Sequence, residues 1–344
     1  MVRAGPYSYR EAGVDLEAAD ALKARLARLV DSTRTRGVEV ACGSFGGRFR
    51  ISGEAELVAS ADGVGTKLLV AIRAGRHDTV GEDLVNHCVN DILCEGAVPL
   101  FFLDYLAFGM LEPDTAEAVV EGVARGCRCN GLALLGGETA EMPGVYRPGE
   151  YDLAGFIVGR TTYPIVARRQ LAAGDRLIGL ASSGLHTNGY SFARGLLFER
   201  LGMSLAEEWP GTGESVADVL LRMHRSYLEP LREACAAGWV RGLAHVTGGG
   251  IPGNLGRLLP ASLDAVVDPA AWEPGPVFRF LALKSGATAE ELYRTLNMGV
   301  GMIAVVRPEH EAPVIESVRR SGCEAFRCGE LVDGGGAVRL RGVT

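Results

Sequence analysis

The sequence predicts an α/β protein with α+β character, folded as two domains. Three observations predict this class. The chain has 344 residues, which exceeds one ordinary core, because domains mostly run on the order of 100–200 residues. Helical periodicity alternates with short apolar runs in both halves. The alternation restarts around residues 161–174, so we place the domains at 1–168 and 169–344.

The first half alternates helices with strands. Apolar residues recur at helical spacing over residues 15–36, and Thr79–Glu95 carries one apolar stripe. Further helices are predicted at Lys67–Ala74, with Gly75 as its C-cap, and at Pro113–Asn130. The predicted strands are Phe49–Ser52, Glu56–Ser60, Leu100–Leu106, Leu132–Leu135 and Tyr151–Val158. The segments ADGVGTK (61–67) and GGETAEMPG (136–144) are predicted to be loops.

The second half repeats this organisation with longer connections. A predicted strand, Arg176–Ala181, leads through SSGLHTNG (182–189) into a helix at Tyr190–Leu201. A polar excursion over 202–218 precedes a predicted helix at 218–237, which ends before the glycine loop AHVTGGG (244–250). A last strand is predicted at Met302–Val306. Both halves are therefore expected to contain a sheet flanked by helices.

Composition excludes several classes of partner. The net charge is −7 without long runs of like charge, which argues against a nucleic-acid-binding surface. The N-terminus lacks an apolar signal segment, and the most apolar stretch, Val98–Leu111, contains Asp104 and is shorter than the ~20 residues of a membrane span. The eight cysteines form no CxxC pair. We expect a soluble, cytoplasmic protein with no nucleic-acid or membrane partner.

The first chemistry-bearing segment is ADGVGTK. Gly63 and Gly65 would let backbone N–H groups approach a phosphate, and Lys67 would begin the following helix, whose N-terminus favours anions. Asp62 could hold Mg²⁺, which prefers a few carboxylates and waters. The alternative is a plain glycine turn with a surface lysine. The chain has no GxxxxGK[ST] motif, so this is not a P-loop.

Carboxylates and histidines mark three other segments. One face of the 79–95 helix carries Asp83, His87 and Asp91. This pattern indicates either a site that binds a metal ion or phosphate, or a face exposed to solvent. Glu138 lies in the glycine segment at 136–144, which indicates cation binding or an acidic turn. His186 and His245 each stand beside glycines and hydroxyls, as acid, base and donor groups do, although a lone histidine is more often structural.

These segments together indicate phosphate and magnesium chemistry, and several of them resemble the signatures of the phosphoribosylformylglycinamidine cyclo-ligase family. The resemblance runs in family order through nine segments and covers essentially the whole chain. The nine segments are YREAGVD (9–15), SADGVGTK (60–67), RHDTVGEDLVNHCVNDI (76–92), PLFFLDYLAFG (99–109), GGETAEMPG (136–144), YDLAGFIVG (151–159), SSGLHTNGYS (182–191), AHVTGGG (244–250) and YRTLNMGVGM (293–302).

The resemblance implies a fold and a reaction. The fold would have two domains, and the N-terminal domains of a homodimer would join their sheets into a shared barrel. The substrates would be MgATP and formylglycinamidine ribonucleotide, and the products aminoimidazole ribonucleotide, ADP and phosphate. ATP would phosphorylate the formamide oxygen, the amidine nitrogen would attack that carbon, and phosphate would leave.

The resemblance also implies roles for residues. ATP and its phosphates would be bound by Asp62, Gly63, Gly65, Thr66, Lys67 and Asp91. The metal ligands would be Asp62, Asp91 and Glu138. The catalytic residues would be His186, His245 and Lys67, and the other substrate would contact Asn188, Thr247 and Gly248 across the domain cleft.

Two departures and two alternatives accompany the resemblance. Residues 42–49 differ from the usual first glycine loop, and Ala27 stands where a lysine is common. Selenophosphate synthetase and thiamine monophosphate kinase belong to the same superfamily, but the kinase would not carry HVTGGG together with YRTLNMGVGM. A non-catalytic dimeric paralogue is the other alternative, and the presence of Asp62, Lys67 and Asp91 argues against it.

Overall fold

The computed structural model describes residues 5–40, 43–53, 55–163, 165 and 171–343. It contains two six-stranded sheets flanked by helices, one formed by residues before 162 and the other by residues after 175. The predicted mixed α/β class is therefore confirmed. The predicted boundary at residue 168 lies outside the described residues.

The first sheet has the strand order β1-β2-β3-β6-β4-β5, in which only the β4–β5 pair is parallel. Its strands are β1 (Val38–Val40), β2 (Gly47–Ser52), β3 (Ala55–Gly63), β4 (Ala97–Phe108), β5 (Ala133–Glu141) and β6 (Tyr151–Thr161). The helices of this half are α1 (Leu16–Asp31), a 3-10 turn (Gly65–Lys67), α2 (Leu68–Ala74), α3 (Asp78–Cys94) and α4 (Pro113–Asn130). The α3 helix contacts β3, β4 and β6 and packs tightly on α4.

The second sheet has the order β12-β9-β11-β7-β10-β8, in which only the β12–β9 pair is parallel. Its strands are β7 (Arg176–Ala181), β8 (Val240–His245), β9 (Leu263–Val267), β10 (Val300–Val306), β11 (Ala325–Asp333) and β12 (Val338–Leu340). The helices are α5 (Tyr190–Arg194, continued by a π-helical segment Gly195–Arg200), α6 (Val216–Leu220), α7 (Leu228–Ala236), α8 (Gly250–Leu255), α9 (Pro276–Ser285), α10 (Ala289–Thr295) and α11 (Glu311–Arg320). Every residue of β10 is buried, which explains its continuous apolar sequence.

Two predictions about local structure away from the cleft were wrong. The segment at 136–144 was expected to be a loop, but Gly136–Glu141 continue β5, because Leu103–Phe108 of β4 pair with them. The predicted helix at 218–237 is interrupted, and α7 begins only at Leu228. Pro230 accounts for this start, since proline fits the first turn of a helix but breaks an intrahelical hydrogen bond further in.

The α3 helix lies where the two domains meet. It packs on the first sheet and also contacts β8 and α7 of the second half. Almost all its residues are buried, including the polar ones, so its predicted polar face is not solvated. Among the described residues, no helix is both long and apolar enough to span a bilayer.

Candidate functional site

A cleft of about 1060 Å³ runs between the two domains. The first domain lines it with the end of β3 and the adjoining turn, and the second domain with two glycine-rich segments. Predicted site residues on its wall are Asp62, Gly63, Gly65, Asn188, Thr247 and Gly248. Further wall residues are Gly43, Ser44, His87, Asp152, Thr187, Arg257 and Arg294, together with Ala27 of α1. The structure thus brings six of the predicted residues to one surface.

His87 connects the two domains at the cleft wall. Its Nε2 lies 2.8 Å from Oδ2 of Asp62 and 3.8 Å from Oδ2 of Asp91, and its Nδ1 lies 2.7 Å from Oγ1 of Thr187. Burial alone would lower the pKa of His87, but the carboxylates of Asp62, Asp91 and Asp83 outweigh it and raise the pKa to about 9. The imidazole is therefore protonated at neutral pH and forms a charged pair with Asp62.

His245 and His186 lie one layer behind the cleft wall. His245 is fully buried, and its Nδ1 is 2.8 Å from Oδ1 of Asp91. Burial lowers the pKa of His245, although the Asp91 carboxylate opposes this shift. His186 has a backbone φ of +62°, and its Nε2 accepts a hydrogen bond from Ser183 N at 3.2 Å. Neither imidazole is on the described cleft wall, although the resemblance had implied that both are catalytic residues.

Lys67 is not on the cleft wall either, contrary to the expected phosphate contact. Its side chain is completely buried, and Nζ lies 2.6 Å from Oδ2 of Asp83 and donates to the Arg222 carbonyl at 2.7 Å. The ADGVGTK segment is not a free loop, because β3 continues to Gly63 and a 3-10 turn holds Gly65–Lys67. The ammonium group of Lys67 binds the Asp83 carboxylate of the first domain and the Arg222 carbonyl of the second. Lys67 therefore connects the two domains and does not face the cleft.

Glu138 is also separated from the other two predicted metal ligands. It lies on β5 and pairs with Tyr105 of β4, and both β4 and β6 intervene between β5 and the Asp62 strand. Three strand spacings amount to about 14 Å, which no single ion spans within one chain. Asp152 on β6 shares the cleft wall with Asp62 and was not predicted as a ligand.

The remaining predicted residues make local polar contacts. Thr66 Oγ1 lies 3.1 Å from Ser191 Oγ, which joins the first glycine turn to α5. Asn188 Nδ2 donates to Thr187 Oγ1 at 3.4 Å, and Thr247 Oγ1 donates to Asn254 Oδ1 at 3.3 Å. These contacts order the backbone around the cleft, and Gly248 leaves the wall open beside Asn188.

Sequence reasoning missed several residues of the site. Two arginines line the described cleft wall: Arg257, whose guanidinium lies 4.9 Å from the centre of the Phe45 ring, and Arg294. Arg294 and Asp152 lie inside segments that carried the resemblance, so those segments contained a usable signal. Arg257 and His224 lie outside all nine segments, and only the folded chain brings them to the site.

The fold and cleft define a two-domain protein whose site joins carboxylates of one domain to glycine segments and buried histidines of the other. Models of the AIR synthase related protein family match this chain over 42–161 for the N-terminal domain and 172–341 for the C-terminal domain. The phosphoribosylformylglycinamidine cyclo-ligase of Sorangium cellulosum (strain So ce56) is 48% identical, covering 95% of this chain and 96% of its own. The protein of the same name from Alkaliphilus metalliredigens (strain QYMF) is 43% identical, covering 97% of each. This chain therefore belongs to the phosphoribosylformylglycinamidine cyclo-ligase family.

A solved structure extends the likeness of fold. Thiamine-monophosphate kinase from Stenotrophomonas maltophilia K279a superposes with a TM-score of 0.63 over 92% of this chain and 94% of its own. Its sequence identity is 20%, so it supports the architecture alone.

Proposed function

We propose that this protein closes the imidazole ring of aminoimidazole ribonucleotide from formylglycinamidine ribonucleotide, converting ATP to ADP and phosphate in purine biosynthesis. Relatives of that name, similar over nearly their whole length, carry the proposal. The cleft supports it, because its wall combines carboxylates, arginines and glycine backbone, which suit a phosphorylated nucleotide and a phosphate-bearing second substrate.

The chemistry sets the task of the cleft residues. The γ-phosphoryl group of ATP transfers to the formamide oxygen, which turns a poor leaving group into a good one. The amidine nitrogen then bonds to the formyl carbon, the C–O bond breaks, phosphate departs and the nitrogen loses a proton. Arg257 and Arg294 supply positive charge along the cleft, in the role that the sequence had suggested for Lys67.

Histidine roles follow from burial. His87 is the imidazole at the cleft wall, where Asp62 and Thr187 hold both of its nitrogens. His245 and His186 support this wall from behind, so we assign them positioning roles instead of direct contact with substrate. Asn188, Thr247 and Gly248 remain the proposed contacts of the second substrate, since all three line the cleft.

Magnesium fits the carboxylates of the first domain. Asp62 is 43% exposed at the cleft, and Asp152 shares the same wall, so oxygen ligands and waters can both be supplied. Asp91 is less suited, because the buried His245 occupies its Oδ1. A bound Mg²⁺ would neutralise phosphate charge, and Asp62 and Asp152 would hold it.

A homodimer is supported by the outer face of the first sheet. The helices α3 and α4 cover one face, while Leu103 and Phe156 are 38% and 46% exposed on the other. Ala61, opposite Phe156 on β3, continues this apolar surface. A second copy covering it would match the shared barrel that the resemblance implies.

A cytoplasmic location is supported by the seven described cysteines, which are all free.

Turnover with defined substrates tests the proposed reaction. Purified protein should release ADP and phosphate only when MgATP and formylglycinamidine ribonucleotide are both present, and it should form a dye-reactive aminoimidazole. Thiamine monophosphate and selenide serve as matched controls, because they are the substrates of the alternative functions. ATP consumption with either control, without imidazole formation, would contradict the proposal.

A further inference from the structure

His224 lies in an irregular segment that is held by side chains of the other domain. Residues 222–227 form neither helix nor strand, and they connect α6 to α7 with His224 and Tyr227 buried. Asp83 Oδ1 accepts a hydrogen bond from His224 N at 2.6 Å, and Asn86 Nδ2 donates to His224 O at 2.8 Å. Both backbone polar groups of His224 therefore bond to one face of α3.

One further side chain of α3 completes this support. Asn90 Nδ2 donates to the Arg225 carbonyl at 2.8 Å, and Asn90 Oδ1 accepts from Tyr227 N at 2.8 Å. Asp83, Asn86 and Asn90 are spaced so that they share a face of the helix. Their contacts replace the backbone hydrogen bonds that regular structure would supply. The segment is thus fixed relative to the first domain.

The imidazole of His224 lies between the other histidines. It is completely buried, and its Nε2 is 3.0 Å from Nε2 of His245 and 3.2 Å from the amide nitrogen of Asn90. Its Nδ1 is 3.3 Å from Thr187 Oγ1, whose oxygen is also 2.7 Å from His87 Nδ1. The ring stacks on His186 with centroids 4.0 Å apart and planes inclined by 20°. A continuous chain of polar contacts thus runs from Asp91 through His245, His224 and Thr187 to His87.

The chemistry of these contacts gives His224 a specific task. Burial, reinforced by His186 and His245, holds the pKa of His224 well below its usual value, so the ring is neutral. A neutral imidazole has one donor and one acceptor nitrogen. Because Nδ1 of His245 donates to the Asp91 carboxylate, its Nε2 is an acceptor, so His224 donates to it from Nε2 and accepts from Thr187 Oγ1 at Nδ1. In this arrangement the Asn90 amide, which also lies 3.2 Å from His224 Nε2, donates to the Arg225 carbonyl and not to the ring. The Asp91 carboxylate bonds only Nδ1 of His245, so a ring held there alone could still tilt. His224 Nε2 holds the opposite nitrogen.

A metal ion is the competing explanation. Ligand nitrogens of His186, His224 and His245 lie within 4.8 Å of one another. The nearly parallel stacking of His186 on His224 opposes this explanation, because stacked rings do not direct their nitrogen lone pairs to one point. The hydrogen-bonded chain already accounts for both nitrogens of His224.

We propose that His224 is a positioning residue for the ring closure: it holds His245 from the side opposite Asp91 and links that pair through Thr187 to His87 at the cleft. The inference rests on the proposed function. No direct contact with substrate is involved, because His224 is separated from the cleft by Thr187 and His87.

Two substitutions of His224 distinguish the effect of its hydrogen bonds from the effect of its packing. One keeps the volume of the ring, and the other keeps a hydrogen-bond donor. His224→Phe keeps the stack on His186 but loses both hydrogen bonds, so kcat should fall by about 10–10²-fold, the size of effect expected from displaced catalytic geometry. KM for both substrates should stay within a few-fold of wild type. His224→Gln places an amide near the position of Nε2 and should recover part of the loss. His310→Phe is the matched control, because His310 stacks on Trp239 instead, and it should keep wild-type turnover.

Three results with the variants and with Zn²⁺ would overturn the inference. The first is wild-type kcat in a folded His224→Phe protein, and the second is an equal loss in the Phe and Gln variants. The third is stoichiometric Zn²⁺ binding by wild type that His224→Phe lacks, which would replace the hydrogen bonds with a metal site.

A spectroscopic test needs no turnover. In wild-type protein labelled with ¹⁵N-histidine, the facing Nε2 atoms of His224 and His245 should show a scalar coupling across their hydrogen bond. The measurement keeps the inference testable if His224→Phe fails to fold. Absence of the coupling would overturn the inference. Its presence in a protein that forms no aminoimidazole would instead contradict the proposed function.

Discussion

Burial gives Lys67 a different role from the one that its neighbouring glycines predict. A lysine beside glycines indicates a phosphate contact, but this ammonium is fully buried and paired with Asp83. Burial lowers the pKa of Lys67 and raises that of Asp83, and each charge opposes the shift of the other. Removing one partner would leave the other charge buried without compensation.

We therefore predict that Lys67→Met lowers the free energy of unfolding by about 3–5 kcal/mol, the usual effect of breaking a buried ion pair. The double variant Lys67→Met/Asp83→Asn should recover part of this loss, because no uncompensated charge remains and the amide oxygen can still accept from His224 N. Denaturant unfolding of both proteins measures the difference. A loss below about 1 kcal/mol in Lys67→Met would show that the pair contributes little and would reopen a role at the cleft.

His87 gives a prediction about pH. Its folded pKa of about 9 lies above the unfolded value near 6.5, so protonation stabilises the folded state. This stabilisation is complete below pH ~6.5 and is lost as the pH rises through about 9. With a chelator present, the free energy of unfolding of wild type should fall across that window by roughly 1–3 kcal/mol more than that of His87→Gln. Parallel pH profiles of the two proteins would contradict the proposed pairing with Asp62.

At the scale of elements, α3 supplies most of the polar contacts of the site. Its polar side chains reach β3, the 222–227 segment and β8, and the opposite face packs on α4. Glycines permit that packing, because a Cβ on Gly122 would lie 2.2 Å from the Asp78 carbonyl and one on Gly81 would lie 2.1 Å from the Val119 carbonyl. The position of α3, and with it His87, depends on this close backbone contact.

Gly122→Ala should therefore destabilise the protein, although alanine is the better helix former by about 1 kcal/mol. The methyl group would push α3 from α4, and overpacking of this kind costs about 1–3 kcal/mol. Gly253→Ala is the matched control for stability: it is helical and has open space around its Cβ position, so it should be neutral or slightly stabilising. Thermal unfolding compares the two. Equal melting temperatures would mean that the helices separate at little cost.

For the molecule as a whole, one face of the first sheet leaves apolar side chains exposed opposite the face that α3 and α4 cover. Leu103 and Phe156 stand next to each other in the centre of the sheet, not at its edge. Exposed apolar area in such a place commonly marks a contact with another chain. The proposed homodimer would bury it.

We predict that wild type sediments as a dimer and that Phe156→Glu shifts it towards monomer, because a carboxylate buried in that face would lack a partner. Leu283→Glu is the control, since Leu283 is 77% exposed on α9 of the other domain, and it should remain dimeric. Analytical ultracentrifugation over a concentration series measures both. A monomeric wild type, or a dimer unaffected by Phe156→Glu, would contradict this arrangement.

The fold class, most of the first-domain elements and the family could be predicted from the residues alone. Apolar periodicity located α3 and α4 within a residue at each end, since that signal is local. The glycine segments drew attention to Asp62, Asn188 and Thr247, which all line one cleft, because glycine marks places where backbone or ligand approaches closely. Their roles in binding remain predictions.

Which polar groups reach the cleft and which are buried behind it depends on how the two domains pack together. Lys67, His186 and His245 have the residue types of a catalytic site, but their depth depends on how α3 docks against the second domain. Strand order separates Glu138 from Asp62 within one chain, and sequence distance does not reveal strand order. His224 lies in a segment that the sequence predicted to be helical. In the structure this segment is irregular, and Asp83, Asn86 and Asn90 supply its hydrogen bonds. Burial and pairing arise from contacts distant in sequence, so no local pattern encodes them.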